Sequence, residues 1–299
     1  MLKNEFIHLF KTLGCYYIYD VNTNTILNIS KDLYDYFDNN VKTNKNFVNR
    51  ELNKKISKLY DSGFLSNKCL KEIEHPYNEI LPYYIKRRLN TITLQVTQQC
   101  NLRCSYCAYS GAYFNRKHSG KRMSFEIAKK GIDFLIENSS ESPMLNIGFY
   151  GGEPLLEFDL ISKCVSYAKQ EAEGKELKFS MTTNGTMLDE KVISFLVENN
   201  FHVLISLDGP EEIHDKNRRF ASNNQGTFKY IIDNVFYMKN KYPEYVDRNV
   251  SINAVLDGTT DFKCINKFFC NNEDIKSLKV NISLVADKYL KELCNSAKI

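Results

Sequence analysis

Residues 91–107 read Thr91-Ile92-Thr93-Leu94-Gln95-Val96-Thr97-Gln98-Gln99-Cys100-Asn101-Leu102-Arg103-Cys104-Ser105-Tyr106-Cys107. The first seven alternate polar and apolar residues, the period of a half-buried strand. Three cysteines then fall within eight residues. A strand that runs straight into a ligand-rich loop is the layout of a βα unit, where chemistry gathers at the strand's C-terminal end.

Outward from that stretch the alternation repeats. Further strands are expected at Leu145–Tyr150, Leu177–Thr182, His202–Leu207, Val250–Leu256 and Leu278–Val285. Amphipathic helices are expected between them: one capped by Ser124, with Ala128, Ile132 and Leu135 inward, and others through Leu160–Ala168, Val192–Val197 and Phe228–Val235. The stretches 261–270 and 286–297 can supply two more. Strands alternating with helices imply a parallel sheet. Six such units fall two short of an eightfold barrel, so the fold class is α/β, a partial, open (β/α)6 barrel over residues 90–299.

Residues 1–85 differ. Cys15–Val21 and Thr25–Ile29 read as a hairpin around Asn22-Thr23-Asn24. Ser30 precedes a helix over Lys31–Phe37, the polar stretch 39–46 reads as a loop, and Leu52, Ile56 and Leu59 mark a helix ending near Gly63. Together they predict a small winged-helix-like α+β domain. His75-Pro76 and Pro82-Tyr83-Tyr84 read as the link onward.

Composition narrows the class. A hydrophobic fraction of 43% and a charged fraction of 25% are ordinary for a globular protein. A net charge of +4 is too mild to argue for nucleic acid or an acidic membrane as partner. No stretch approaches the about 18 apolar residues of a membrane helix, and the first ten residues do not read as an export signal. A cytoplasmic chain is expected. Its nine cysteines, an odd number, do not suit a disulfide scaffold. The six outside the loop (Cys15, Cys69, Cys164, Cys264, Cys270 and Cys294) are expected to be mostly buried small hydrophobes.

The loop carries three thiols, and a cubane cluster held by three cysteines leaves one iron open to a small molecule. Zinc is the alternative, but structural zinc wants four ligands and the nearest candidate for a fourth is His118. Three later strand ends add context. Tyr150-Gly151-Gly152-Glu153-Pro154 offers glycines for close backbone approach and a carboxylate; Thr182-Thr183-Asn184-Gly185-Thr186 and Ser206-Leu207-Asp208-Gly209-Pro210 follow the next two strands. Four consecutive strands with special residues at one end imply a common rim.

These residues resemble the radical S-adenosylmethionine superfamily. The loop matches its Cys-x3-Cys-x2-Cys signature, with an aromatic Tyr106 before the last cysteine, and Gly151-Gly152-Glu153-Pro154 matches the element that binds the cofactor's amino group. The strand-end motifs and His214-Asp215-Lys216-Asn217-Arg218 resemble the peptide- and protein-modifying branch. The resemblance implies a 4Fe–4S cluster on Cys100, Cys104 and Cys107. It implies S-adenosylmethionine held near Tyr106, Gly151, Gly152, Glu153, Pro154, Asn184, Ser206, Asp208 and Arg218. The implied reaction is reductive cleavage of the cofactor to a 5′-deoxyadenosyl radical that takes a hydrogen atom from substrate. No catalytic residue is assigned beyond the cluster.

The hairpin, its helix and Ile56–Leu65 resemble the peptide-recognition domain of maturases that install thioether links in ribosomally made peptides. That implies a precursor peptide bound through its leader, and an electron donor such as flavodoxin or ferredoxin. Members of this branch usually carry a C-terminal domain with auxiliary clusters. The expectation here is a chain without one, since Cys264, Cys270 and Cys294 are too sparse to replace it. A radical enzyme acting on a protein or small molecule, and a non-enzymatic iron–sulfur redox regulator, remain as alternatives.

Overall fold

The structure is a computed structural model that describes residues 6–12, 14–43, 50–68, 74–109, 117–172, 174–256, 261–273 and 275–285. Its contacts divide the chain into two units, Met1–Asn78 and Glu79–Ile299.

The first unit is a three-stranded antiparallel sheet, β1 (Ile7–Thr12), β2 (Cys15–Asp20) and β3 (Thr25–Ile29), with β2 in the middle. Helices α1 (Lys31–Thr43) and α2 (Arg50–Asp61) follow. Ile18, Ile29, Leu33, Phe37, Leu52, Ile56 and Leu65 form its core. The hairpin and both helices stand where the sequence put them, and β1 is an addition to that reading. Residues 39–43, expected as loop, continue α1. Asn, Lys and Asp cost a helix only tenths of a kcal/mol each, so a helix anchored by Leu33 and Phe37 runs on through them. Residues 44–46 lie outside the described ones.

Asp20 ties this unit together. Its Oδ1 accepts from the Thr23 N–H and hydroxyl, both at 2.8 Å, and its Oδ2 accepts from the Leu65 N–H at 2.7 Å. One buried carboxylate thereby fixes the hairpin turn and the segment after α2.

In the second unit, Pro82-Tyr83-Tyr84 is not linker but part of helix α3 (Leu81–Arg87). The Tyr83 hydroxyl and Arg88 Nε reach Glu141 at 2.5 and 3.0 Å, and the Glu141 N–H donates to Arg87 O at 2.8 Å. These bonds draw α3 onto the α/β unit, so the contact boundary falls ahead of residue 85.

Six parallel strands follow, ordered in space as in sequence: β4 (Thr91–Thr97), β5 (Met144–Gly151), β6 (Glu176–Thr183), β7 (His202–Ser206), β8 (Val250–Leu256) and β9 (Lys279–Leu284). Between them run α4 (Phe125–Glu137), α5 (Phe158–Glu171), α6 (Glu190–Glu198), α7 (Glu211–Asn217), α8 (Phe228–Lys241), α9 (Pro243–Asn249) and α10 (Phe262–Asn271). This is the expected α/β partial barrel. The short helices α7 and α9 were not legible, because seven mostly polar residues carry no apolar period. The Ser124 hydroxyl caps α4 by accepting from the Ile127 N–H at 3.3 Å. The expected helix at 286–297 lies outside the described residues.

Strand alternation sorts the sheet's two faces. Leu94, Ile147, Phe149, Phe179, Met181, Ile205, Ile252 and Ala254 are buried in the helix-covered core. Their neighbours Thr93, Gly148, Ser180, Thr182, Ser251 and Asn253 line cavities instead. The interior of this barrel is hollow at these small, mostly polar positions, where a closed eightfold barrel would pack side chains.

The cysteines outside the loop need correction. Cys164 is buried on the inward stripe of α5, but Cys15, Cys264 and Cys270 are exposed, and Cys69 and Cys294 lie outside the described residues. Helix α10 buries Ile265 and Phe269, which turns its two cysteines outward.

Asp20 gives the first prediction. Burial raises its carboxyl pKa, but the Thr23 and Leu65 N–H groups and the Thr23 hydroxyl outweigh that and hold it below the usual value. A depressed folded value means the stabilisation is full above the unfolded pKa of about 3.9 and is lost as pH falls through the folded value. Asp20→Asn leaves a buried donor unaccepted and should cost about 1–3 kcal/mol at pH 7. Hydrogen-exchange protection at Thr23 and Leu65 reports it. The variant should approach wild type only below about pH 4.

Candidate functional site

The cysteine loop has no regular structure of its own and is held from two sides by backbone. On one side it pairs with residues 217–221: the Arg103 N–H donates to Arg219 O at 2.9 Å, Ser105 N–H to Asn217 O at 3.0 Å, and Ala221 N–H to Asn101 O at 2.8 Å. On the other, the Gly152 N–H donates to Thr97 O at 3.0 Å and the Glu153 N–H to Gln99 O at 2.9 Å.

That second seam explains the paired glycines. A Cβ on Gly151 would stand 2.2 Å from Thr97 O, and one on Gly152 would stand 2.1 Å from Gln99 O and 3.1 Å from Cys100 Cβ. Gly151 also has φ +153°. The sequence reading gave these glycines to close approach by a ligand. The structure adds a nearer neighbour, the backbone that carries Cys100.

Cys104 is buried, and Cys100 and Cys107 are half-buried. Backbone amides point at two of the sulfurs: Leu102 N–H at 3.4 Å from Cys100 Sγ and Tyr109 N–H at 3.4 Å from Cys107 Sγ. Burial pushes the Cys100 thiol up to about 12 and the Cys104 thiol up to about 11. Thiolates there need positive charge brought to them, which iron supplies. Among the described residues no three His, Cys, Asp or Glu side chains converge on one metal-ion position. Three thiols on one loop suit a cubane that keeps one iron open, whereas structural zinc wants four ligands.

Two buried carboxylates sit behind the loop, and both are engaged by protein. Glu153 Oε1 accepts from the Thr183 hydroxyl at 2.7 Å and the Leu155 N–H at 3.1 Å, and Oε2 from the Asn184 N–H at 2.7 Å. Burial raises its pKa against those donors. Asp208 accepts from the Tyr106 hydroxyl, from Arg218 Nε at 3.0 Å and from the Val255 N–H at 3.0 Å. Neither lines the cavity described below.

Arg218 is only 6% exposed. Its guanidinium carbon lies 5.3 Å from the Tyr106 ring centroid, and Nη1 lies 4.0 Å from Cys104 Sγ. Arg218 is thus an interior side chain. His214 braces the arrangement from behind, accepting from the Asp208 N–H on Nδ1 at 3.2 Å and meeting Thr227 Oγ1 through Nε2 at 2.9 Å. That pattern assigns the proton to Nε2. Burial, then the Arg218 charge, push its pKa down to about 4, so the ring is neutral. Asp215 accepts from the Thr227 and Phe228 N–H groups at 2.7 and 2.9 Å, closing the start of α8. Sequence reasoning saw His214 and Asp215 only as part of a motif and could not assign these partners.

A cavity of about 420 Å3 opens at this end of the sheet, within the usual size of small-molecule sites. Cys100, Cys104, Tyr106, Cys107, Gly151, Gly152, Asn184, Ser206 and Arg218 line it. Of the residues singled out from sequence, Glu153, Pro154 and Asp208 do not. Thr182, Asn253 and Ser283 do, though Asn253 and Ser283 went unremarked. Their inward position on β8 and β9 was the available signal.

The chain belongs to the radical SAM superfamily, whose family model matches residues 94–263. It is 33% identical over 175 residues to the cysteine-type anaerobic sulfatase-maturating enzyme of Clostridium novyi, covering 55% of this chain and 46% of that one. It is 27% identical over 230 residues to the radical SAM cyclopropyl synthase TigE of Paramaledivibacter caminithermalis, covering 71% and 46%. The solved structure "Native anSMEcpe with bound AdoMet and Cp18Cys peptide" aligns with a TM-score of 0.56 and 25% identity, covering 66% of this chain and 51% of that one. The chain thus spans about half the length of the relatives it matches. Its cofactors are those of that superfamily, a 4Fe–4S cluster and S-adenosylmethionine. No helix among the described residues is long and apolar enough to cross a membrane.

The glycine seam yields the second prediction. Gly152→Ala should displace the backbone at Gln99 and Cys100, lowering iron and sulfide content after anaerobic reconstitution together with cofactor binding. Full iron content with cofactor binding alone lost would show that the missing Cβ serves the ligand and not the seam.

Proposed function

We propose that the chain modifies a ribosomally made peptide, as by a thioether cross-link, with the cluster on Cys100, Cys104 and Cys107 and S-adenosylmethionine in the cavity beside it. The observation that carries this reading is the cavity itself. It joins three thiols, the glycine seam, the strand-end residues Asn184 and Ser206, and Arg218 at the end of α7 in one hollow.

Bound together, the two cofactors supply one-electron reduction and hydrogen-atom abstraction. The protein's part is to hold and orient. Tyr106 and Arg218 are fixed by Asp208, so the guanidinium meets an anionic group without first reorganising. Asn184 donates through Nδ2 to Asn101 Oδ1 at 2.8 Å and keeps the third strand end against the cysteine loop. Glu153 and Asp208 act as positioning residues behind this surface.

A peptide substrate is favoured by two features. The solved structure named above holds AdoMet together with a peptide. The first unit also has β1 and β3 as the outer strands of its sheet, each paired on one side among the described residues. An extended leader can add there as a further strand. A protein substrate is the second reading, supported by the sulfatase-maturating relatives.

The test is formation of 5′-deoxyadenosine by the anaerobically reconstituted chain. Wild type should carry about four irons and form this product. Cys100→Ala, Cys104→Ala and Cys107→Ala should each lose most of both. Full iron in a chain lacking all three thiols would remove the cluster assignment. For the substrate, the intact chain should bind a precursor at least about tenfold more tightly with its leader than without. Equal, weak binding of both would remove the peptide reading.

A further inference from the structure

Two residues of the motifs read along the chain stand beside the site without lining its cavity: Asn101, after the first cysteine, and Thr186, in the turn after β6. They lie 85 residues apart and meet directly, Asn101 Nδ2 donating to Thr186 Oγ1 at 2.9 Å. The Thr186 hydroxyl donates in turn to Asn184 Oδ1 at 2.7 Å, and Asn184 Nδ2 donates to Asn101 Oδ1 at 2.8 Å. Three side chains thus close a ring in which each donates once and accepts once.

The backbone fixes which way the ring runs. The Thr186 N–H can only donate, and it lies 3.0 Å from Asn184 Oδ1. That end of the Asn184 carboxamide is therefore the oxygen, and its Nδ2 faces the cysteine loop. The main chain of the turn is held separately, through the Asn184 N–H on Glu153 Oε2 at 2.7 Å and the Gly185 carbonyl under Asn234 Nδ2 at 2.9 Å.

The ring uses one of the two hydrogens on Asn184 Nδ2. The same nitrogen lies 3.8 Å from Cys100 Sγ, the sulfur on which the Leu102 N–H points. Asn101 Oδ1 is itself 3.9 Å from that sulfur. A bare carbonyl oxygen repels a thiolate, whereas an N–H aimed at it stabilises the charge. The ring therefore sets a donor where Cys100 would otherwise face an oxygen. The other two thiols have different neighbours, the Tyr109 N–H for Cys107 and Arg218 Nη1 for Cys104. Asn184 is buried and lines the cavity, so Asn101 and Thr186 act through it.

We propose that Asn101 and Thr186 are positioning residues that hold the Asn184 amide on the Cys100 thiolate and so raise the reduction potential of the cluster. An electron added to the cluster increases the negative charge on its sulfurs, and hydrogen bonds to those sulfurs favour the reduced state. This rests on the cluster assignment proposed above.

The experiment poises the anaerobically reconstituted chain at the wild-type midpoint with soluble redox mediators. Absorbance and electron paramagnetic resonance give the reduced fraction. Asn101→Ala and Thr186→Val should each lower the reduced-to-oxidised ratio about three- to tenfold at unchanged iron content. Thr186→Ser keeps the hydroxyl and should match wild type. The ring acts as one unit, so the double variant should fall no further than either single one. Asn234→Ala loosens the same turn outside the ring and should leave the ratio unchanged. Wild-type ratios in iron-loaded Asn101→Ala and Thr186→Val would overturn the proposal. So would an equal fall in Asn234→Ala, which would make the potential a report of a loosened turn. A measurement on wild type alone covers variants that fail to load iron. With an isotopically labelled asparagine side-chain nitrogen, the electron spin echo of the reduced cluster should show a coupled nitrogen, and its absence would overturn the contact. A wild-type chain that takes up no iron would instead overturn the cluster assignment, and the tuning with it.

Discussion

The site depends on a loop that cannot hold its own shape. Residues 99–107 have neither helix nor ladder, yet a cluster needs its thiols held in a set geometry. The constraint comes from backbone bonds to segments far along the chain, Gly152 and Glu153 on one side and Asn217 to Ala221 on the other. Backbone bonds suit this purpose because they fix the chain without using the side chains that face the cavity. They also demand close approach, which is why a Cβ at residue 151 or 152 would collide with a carbonyl.

Behind that seam lie the two buried carboxylates. A lone ionised carboxylate in a dry interior is strongly unfavourable, so each is surrounded by donors. Glu153 joins β5 to the end of β6, and Asp208 joins the end of β7 to Tyr106, Arg218 and β8. Four strand ends are thereby coupled through two acids. The groups left facing the cavity are held still by this second layer, which is what positioning a reactive cofactor requires.

The barrel's openness follows from strand number and side-chain pattern together. Six strands in sequence order leave β4 and β9 as the two ends of the sheet. Inward positions such as Ser180, Thr182, Ser251 and Asn253 are small and polar. Large apolar residues there would have filled the hollow, as their neighbours fill the core beneath the helices.

Much of this was legible along the chain. Strand and helix patterns have periods of two and 3.6 residues, so the six parallel strands and the helices with a continuous apolar stripe could be read locally. Ligand spacing is equally local, and Cys100, Cys104 and Cys107 announced the site. Short polar helices such as α7, and the outer strand β1, carried too little pattern of their own. What only the tertiary structure decided is which distant residues meet. It assigned Glu153 and Asp208 to protein partners, drew Arg218 inside, and set the glycines against Thr97 and Gln99. The local pattern says which way a side chain faces, but its partner is chosen by folding across tens of residues.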